Sequence, residues 1–159
     1  MVSIEWCCKQ KSGIKLIEPN ENLARAYVEM AVDSIKVMNN EKDRSLRWSI
    51  SSCYYSMYYS LYAVLQKIGI KCEIHACTIE LMKFALKEFY SDEDLDLVQL
   101  AFKCRENIQY YVDRIIDKKD SEFIISQAPI FLNKSENILS KINQDHIEKV
   151  KKILQPFLS

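Results

Sequence analysis

The 159-residue chain has few residues that interrupt helices, since it contains only two glycines and three prolines. A sheet of many strands needs more of both for its tight turns. Hydrophobic residues make up 48% of the chain and charged residues 28%, a balance that suits long amphipathic helices. The sequence therefore predicts a single all-α domain.

The chain also lacks a net charge, because 22 basic and 22 acidic side chains balance. No global basic field is present, so any contact with RNA or DNA must depend on a local cluster of cations. We find no signal peptide and no apolar run long enough to span a membrane. We therefore expect a cytoplasmic protein without membrane contact.

Metal and cofactor signatures are missing too. The chain contains no Gly-rich phosphate loop, no HExxH segment and no paired CxxC spacing, and it has only two histidines. We predict no metal and no cofactor. We expect all six cysteines to be reduced and to pack as small apolar residues. They are Cys7, Cys8, Cys53, Cys72, Cys77 and Cys104.

Apolar periodicity and capping residues divide the chain into an arm and a helical domain. Residues 1–19, which include Gly13 and Pro19, form an irregular arm packed on a bundle domain at 20–159. We predict helices at about 20–39, 44–68, 74–90 and 121–142, and a short last helix at about 144–158. Another helix begins at Ser91 or Asp92 and continues into RENIQYYVD. Pro129 should kink or interrupt the helix at 121–142.

The second helix contains the segment CYYSMYYSLYAVLQKIG, residues 53–69, with five tyrosines in its first ten residues. This helix is apolar on nearly all sides, so it should lie at the centre of a bundle or against a second copy of itself. Tyrosine buries its ring and keeps a hydroxyl for a partner, which suits a core or an interface. We favour core and dimer packing for these tyrosines over a platform that stacks bases.

The strongest candidate site residues lie late in the fourth helix, where Arg105 is followed by polar and aromatic side chains. These are Glu106, Asn107, Gln109, Tyr110 and Tyr111. Arg105 can bind phosphate through two parallel hydrogen bonds while the phenols stack or donate hydrogen bonds. An ion pair with Glu106 or with a carboxylate of another helix is an equal alternative. His75 is the one histidine in an apolar region, where a structural role is the commoner one.

Four segments, taken in order, resemble the HEPN-domain superfamily, in particular its small stand-alone archaeal and bacterial branch. They are GIKLIEPNENLARAYVEMAVDSIKV, RWSISSCYYSMYYSLYAVLQKIGIKCEIHA, CRENIQYY and SEFIISQAPIFLNKSENIL. The resemblance covers residues 13 to about 142, and the tyrosine-rich helix is its most specific part. It implies an antiparallel four- to five-helix bundle that forms a homodimer.

The resemblance also implies a role in toxin–antitoxin systems. Many members cleave RNA without metal, through an arginine followed four to six residues later by a histidine. Others pair with a minimal nucleotidyltransferase antitoxin, and some are inactive binding modules. The arginine corresponds to Arg105, but Tyr110 stands where the histidine is expected. Tyrosine is a poor base near pH 7, so the catalytic motif is degenerate.

We therefore expect a protein that binds RNA, a nucleotide or a protein partner. A metal-independent endoribonuclease that acts through Arg105 and Tyr110 is the alternative. On a straight helix these two side chains point about 140° apart at roughly 100° per residue, so they should meet only across a dimer cleft. We expect the other candidate residues and His75 to contribute to binding there. The resemblance also makes Tyr110 or Tyr111 a candidate acceptor for a transferred nucleotide.

Overall fold

A computed structural model describes residues 2–158 of the chain, and its order of elements confirms the all-α prediction. The α-helices are α1 (Ile4–Lys9), α2 (Glu21–Glu41), α3 (Leu46–Ile68), α4 (His75–Ala85), α5 (Asp92–Tyr110), α6 (Lys118–Lys141) and α7 (Gln144–Leu154). A 3₁₀-helix at Gln155–Phe157 follows α7 directly. Two short strands, β1 (Lys15–Leu16) and β2 (Ile70–Lys71), complete the described chain.

Side-chain caps set the start of six of these helices. In each case a polar side chain accepts a hydrogen bond from a backbone N–H of the first turn, which would otherwise have no partner. The capping residues are Ser3, Asn20, Ser45, Ser91, Asp117 and Asn143. Asp117 accounts for the start of α6 at Lys118, three residues before the predicted start at Ser121.

Helix α3 lies at the centre of the bundle, as its apolar composition predicts. It contacts α2, α5, α6, α7 and β2, and its buried residues extend from Ser49 to Ile68. The helix ends at Gly69, whose φ of 89° and ψ of 47° are left-handed. A Cβ at this position would come within 2.5 Å of the Ile17 carbonyl oxygen, so only glycine lets the chain turn here.

The N-terminal arm is more regular than predicted. It contains α1, and its strand β1 pairs antiparallel with β2, with Lys15 opposite Lys71 and Leu16 opposite Ile70. Helix α1 has six residues and β1 has two. Elements this short cannot display a helical or alternating period, so apolar spacing does not reveal them. Ile4, Cys7 and Ile14 of this segment are buried.

Two boundaries in the second half of the chain differ from prediction. Helix α4 ends at Ala85 rather than at Tyr90, and the turn that follows buries Tyr90, whose hydroxyl lies 2.8 Å from the Ser135 hydroxyl. Helix α6 continues through Pro129 without interruption. Ala128 and Phe131 on either side of the proline are buried, so packing maintains the helix despite one missing hydrogen bond.

The expectation that every cysteine is reduced is wrong for one pair. Cys7 of α1 and Cys77 of α4 form a disulfide across 70 residues of sequence. Only the tertiary structure places these two helices side by side, so spacing along the chain gives no sign of the bond. Cys53, Cys72 and Cys104 are free and buried, as expected for small apolar residues. Cys8 is free and half-buried.

Between residues 2 and 158, no helix combines the length and the apolar character that crossing a bilayer requires.

Candidate functional site

The tyrosines of α3 form a continuous aromatic group, here called the tyrosine cluster: Tyr54, Tyr55, Tyr58, Tyr59 and Tyr62 of α3 with Tyr27 of α2. Tyr54, Tyr58 and Tyr62 are buried, which confirms the core packing predicted for this segment. Tyr55 and Tyr59 are half-buried at its edge. The cluster therefore has a core side and a side that reaches the surface.

His75, the first residue of α4, joins the core side of the cluster. Its Nδ1 lies 2.6 Å from the Tyr54 hydroxyl oxygen, and its ring stacks on Tyr58 with centroids 4.1 Å apart and planes 5° apart. The Nε2 atom makes no hydrogen bond within residues 2–158 and is not sealed from solvent. The second ring nitrogen is therefore available to a ligand.

Arg105 of α5 approaches the same tyrosines from the other side. Its Nη2 donates a hydrogen bond of 3.0 Å to the Tyr55 hydroxyl oxygen. The guanidinium carbon lies 5.6 Å from the ring centre of Tyr54 and 5.5 Å from that of Tyr55, within cation–π distance. Tyr54 and Tyr55 thus contact both His75 and Arg105.

Arg105 has no carboxylate partner within ion-pair distance in the described part of the chain. The alternative of an ion pair with Glu106 or with another helix is therefore wrong. The Nε atom of Arg105 is buried and makes no hydrogen bond. A buried donor without an acceptor is rare in folded proteins and calls for a bound water or anion. The groups in direct contact with this cation are aromatic rings and a phenol hydroxyl, not a carboxylate.

The predicted separation of Arg105 from Tyr110 within one protomer is also wrong, because the guanidinium carbon lies 5.8 Å from the Tyr110 ring centre. Both residues lie within α5, so the contact is made by the reach of the long arginine side chain and the Tyr110 ring rather than by a change of helix direction. Arg47 of α3 holds this end by donating hydrogen bonds to the carbonyl oxygens of Ile108, at 2.7 Å, and Val112, at 2.8 Å.

Two of the remaining candidates, Asn107 and Tyr111, form a second group around Arg114, a residue that the sequence analysis did not name. Arg114 donates a 2.5 Å hydrogen bond to the Asn107 side-chain oxygen. Its guanidinium carbon lies 3.7 Å from the ring centre of Tyr111. Glu106 is half-buried, and its charge contributes to raising the pKa of Tyr54. Gln109 lies apart from this group, in an open groove beside Trp48.

Burial and neighbouring charge determine the protonation states of the site. Burial, with a smaller effect from the positive Arg105, lowers the pKa of His75 below its usual value. Burial raises the pKa values of Tyr54 and Tyr58 far above that of a free phenol. At neutral pH the imidazole is therefore uncharged and both phenols keep their protons. Arg105 is the permanent positive charge of this group.

This chemistry favours an anion over a metal ion. Within residues 2–158 no three or more His, Cys, Asp or Glu side chains are placed to hold a metal. The site instead offers a guanidinium, a neutral imidazole and several phenol hydroxyls. Phosphate oxygens accept hydrogen bonds from all three kinds of donor.

The sequence analysis favoured core and dimer packing over a base-stacking platform for Tyr54, Tyr55 and Tyr58, and it did not name Arg47. Tyr55 lies on a stripe of α3 with Trp48, Ser52 and Tyr59, and that stripe was the available signal for an aromatic surface. For Arg47 the sequence carries no signal, because its partners are backbone carbonyls more than 60 positions away.

A model of the HEPN domain family matches residues 24–138, more than two thirds of the chain. The chain belongs to the HEPN family. That match includes α3, α4 and α5 in full, and so it contains the tyrosine cluster, His75 and Arg105.

Two archaeal proteins are similar to this HEPN chain. A Methanocaldococcus jannaschii protein named "Putative toxin MJ0142" is 29% identical over 101 residues, which cover 60% of this chain and 67% of that protein. An Archaeoglobus fulgidus protein named "UPF0332 protein" is 30% identical over 92 residues, or 57% of this chain and 74% of that protein. The family assignment and the toxin name agree with the resemblance noted from sequence.

The lowered pKa of His75 predicts a pH dependence of stability. Because the pKa of His75 is lower in the folded chain, protonation of this residue favours the unfolded chain, in which a histidine has a pKa of about 6.5. The contribution of neutral His75 is fully present above about pH 6.5 and is lost as the pH falls toward the folded-state pKa. The titratable or charged side chains that face His75 are Tyr54, Tyr55, Tyr58 and Arg105.

Chemical unfolding measured between pH 7.5 and about 5 should show a smaller loss of stability in His75→Gln than in the unmodified chain. His146 is present in both proteins and cancels in the comparison. Equal pH slopes for the two proteins would mean that His75 is not held in its neutral form by the fold.

Proposed function

We propose that this HEPN protein is a toxin-like RNA-binding protein, in which Arg105 binds a backbone phosphate at the edge of the tyrosine cluster. The observation that carries the proposal is a partly buried guanidinium with no carboxylate partner and an unsatisfied Nε. Burying a cation without compensation is costly, and a bound phosphate supplies both the missing charge and the missing acceptor.

The surroundings of Arg105 suit single-stranded RNA. Tyr110 is 67% exposed and lies against Arg105, so its free ring face can stack a base whose phosphate the arginine holds. Arg114 and the exposed Tyr111 lie just beyond it. The chain has zero net charge and therefore no global basic field. RNA binding would depend instead on this local group of arginines and tyrosines.

The proposal includes a homodimer. Exposed apolar side chains continue along the outer face of α2 and onto α3, where they flank the surface side of the tyrosine cluster. They are Leu23, Met30, Val37 and Trp48. An open groove of about 360 Å³ lies between the two helices and is bordered by Met30, Val37 and Tyr55. Asp33, Ser34 and Ser52 add polar groups to the groove. Monomeric proteins rarely leave large apolar patches uncovered, and a two-fold axis lets this face cover itself.

A second copy placed on this face would bring two Arg105 groups toward one cleft, because Tyr55 both borders the groove and bonds Arg105. RNA would then contact both protomers. The toxin name of the M. jannaschii relative supports a partner that neutralises the activity. A minimal nucleotidyltransferase remains our candidate for that antitoxin, on the resemblance alone.

Cleavage of the bound RNA is the second candidate function, and the position of His75 favours it. The α5 segment lacks the expected histidine, but α4 places one against the same two tyrosines that contact Arg105. With Nδ1–H donated to Tyr54, the Nε2 lone pair can take the proton of a ribose 2′-hydroxyl.

The reaction balances without an added reagent. The 2′-oxygen bonds to phosphorus and the bond to the 5′-oxygen breaks, which leaves a 2′,3′-cyclic phosphate. The leaving 5′-oxygen takes a proton from water, and the imidazolium returns its proton to solvent. Arg105 would stabilise the charge on the phosphorane.

Arg105→Ala should abolish specific RNA binding and leave the fold nearly intact. The change leaves no orphaned carboxylate, so the loss of one hydrogen bond and the ring contacts should lower stability by only about 1 kcal/mol. Arg105→Lys should also bind weakly, because an ammonium cannot grip two phosphate oxygens at once. Salt-dependent binding of a fluorescent oligonucleotide and thermal melts check both points.

Arg25→Ala is the matched control, since it removes the same charge from an exposed arginine of α2 that bonds Asn22. If Arg25→Ala and Arg105→Ala lose RNA binding equally, the loss comes from the change in net charge and not from a site at Arg105. Full binding in Arg105→Ala would overturn the proposal.

The unmodified chain should sediment at twice its 18.7 kDa mass at micromolar concentration. Met30→Asp should shift it to the monomer, because two-fold symmetry would bury two carboxylates in an apolar interface. A cost of about 3 kcal/mol corresponds to roughly a hundredfold weaker dimer. Ile130→Asp, at an exposed apolar residue of α6, should remain dimeric. A monomeric unmodified chain would contradict the dimer.

If the site cleaves RNA, single-stranded RNA incubated with the protein and excess chelator should yield fragments ending in 2′,3′-cyclic phosphate. His75→Gln should slow the cleavage about a hundred- to ten-thousand-fold, the usual contribution of general acid–base catalysis, while RNA binding weakens by no more than about tenfold. Mass spectrometry of the fragments checks the chemistry. Unchanged cleavage by His75→Gln would remove its role, and no cleavage by the unmodified chain would leave binding as the function.

A further inference from the structure

Helix α4 begins differently from the other α-helices of residues 2–158. Each of the other six has a side chain that caps its first turn, whereas Ile74 precedes α4 and makes no side-chain capping bond. The first turn of α4 also contains no acidic residue that would favour the positive end of the helix dipole. A cap is typically worth about 1 kcal/mol, so this turn needs support from elsewhere.

The Cys7–Cys77 disulfide supplies that support. Cys77 is the third residue of α4, and its sulfur bond ties the uncapped turn to α1. Around it, the Thr78 hydroxyl donates to the Ile74 carbonyl oxygen at 3.3 Å, and the Glu73 amide donates to the Ser12 carbonyl oxygen at 2.9 Å. The one covalent link at this helix start is therefore the bond that can be removed by reduction.

The same turn carries His75 into the candidate site. His75 lies two residues before Cys77, and its ring contacts Tyr54 and Tyr58 only while the first turn of α4 holds its place. A shift of this turn would break the 2.6 Å hydrogen bond and the stacked contact together. The redox state of Cys77 is thus coupled by geometry to the position of His75.

We propose that the Cys7–Cys77 disulfide is a redox-controlled tether that seats His75 beside Arg105, and that its reduction weakens the RNA site. The expected effect on RNA binding rests on the proposed function, whereas the movement of His75 does not. A dithiol reductant transfers two electrons and two protons to the disulfide, which leaves two thiols at Cys7 and Cys77 and a disulfide in the reductant.

The free cysteines of residues 2–158 do not perform this reduction themselves. Burial raises the pKa of each of them, so little thiolate is present to attack the disulfide. They are Cys8, Cys53, Cys72 and Cys104. Helix α1 is the route for an outside reductant. It has six residues and buries only Ile4 and Cys7, so local opening of this helix exposes the bond.

The test follows His75 directly by proton NMR of its imidazole, assigned with His75→Gln, in oxidised and dithiol-reduced protein. Reduction should move the His75 pKa upward, toward the ordinary value of about 6.5, as the ring leaves the cluster. RNA binding should weaken roughly five- to tenfold, which is the usual effect of losing one hydrogen bond and the packing around it, here those of the His75 ring. The double variant Cys7→Ser, Cys77→Ser should behave like the reduced chain without added reductant.

Cys8→Ser is the matched control and should respond to reductant as the unmodified chain does. An unchanged His75 signal after reduction would overturn the tether. So would a reduced chain that unfolds at 25 °C by circular dichroism, because a switch needs two folded states. If His75 moves on reduction but the oxidised chain binds no RNA, the tether stands and the RNA-binding function fails.

Discussion

The structure depends on burying a helix that contains five tyrosines. A tyrosine ring gains free energy when it leaves water, but its hydroxyl loses free energy if it is buried without a partner. In α3 the Tyr54 hydroxyl meets His75, the Tyr55 hydroxyl accepts from Arg105, and the Tyr62 hydroxyl accepts from the Cys72 amide at 3.3 Å. The residues that satisfy these hydroxyls come from α4, α5 and the segment between α3 and α4.

This requirement explains why core and site are continuous in this protein. The hydrogen-bond partners of Tyr54 and Tyr55 are a neutral imidazole and a guanidinium, and the guanidinium makes no ion pair within the described chain. An arginine in an aromatic environment keeps its charge, because its pKa is far above neutrality. A phosphate is the complement that such an environment lacks, and the surrounding rings limit competition from water.

The helix ends position the reactive groups. Arg47 donates to the carbonyl oxygen of Ile108 in the last turn of α5 and to that of Val112 just beyond it, and so it holds the helix end at which Tyr110 contacts Arg105. At α4 the disulfide takes the place of a capping side chain and holds His75. One helix end is thus held by hydrogen bonds, which form in either redox state, and the other by a bond that responds to redox conditions.

The sequence by itself determined the all-α class, the central position of α3 and the HEPN family. The helical class and the position of α3 follow from local composition, from the apolar period and from capping residues, which act between residues close in the chain, whereas the family follows from the resemblance of four segments to known members. It also singled out Arg105 as a cation among polar and aromatic residues. The short helix α1, the strand pair and the uninterrupted α6 were not predictable, because packing overrides weak or brief local signals there.

Only the tertiary structure decided what surrounds Arg105. Its contacts with Tyr55 and Tyr54 join residues about 50 positions apart, and the disulfide joins residues 70 apart. The sequence motif places the histidine on the same helix as the arginine, where this chain has Tyr110 instead. His75 reaches the site from α4 because its ring packs on Tyr54 and Tyr58 of α3, the helix on which α5 also packs. Long-range proximity of this kind depends on how helices assemble, and no local pattern of residues encodes it.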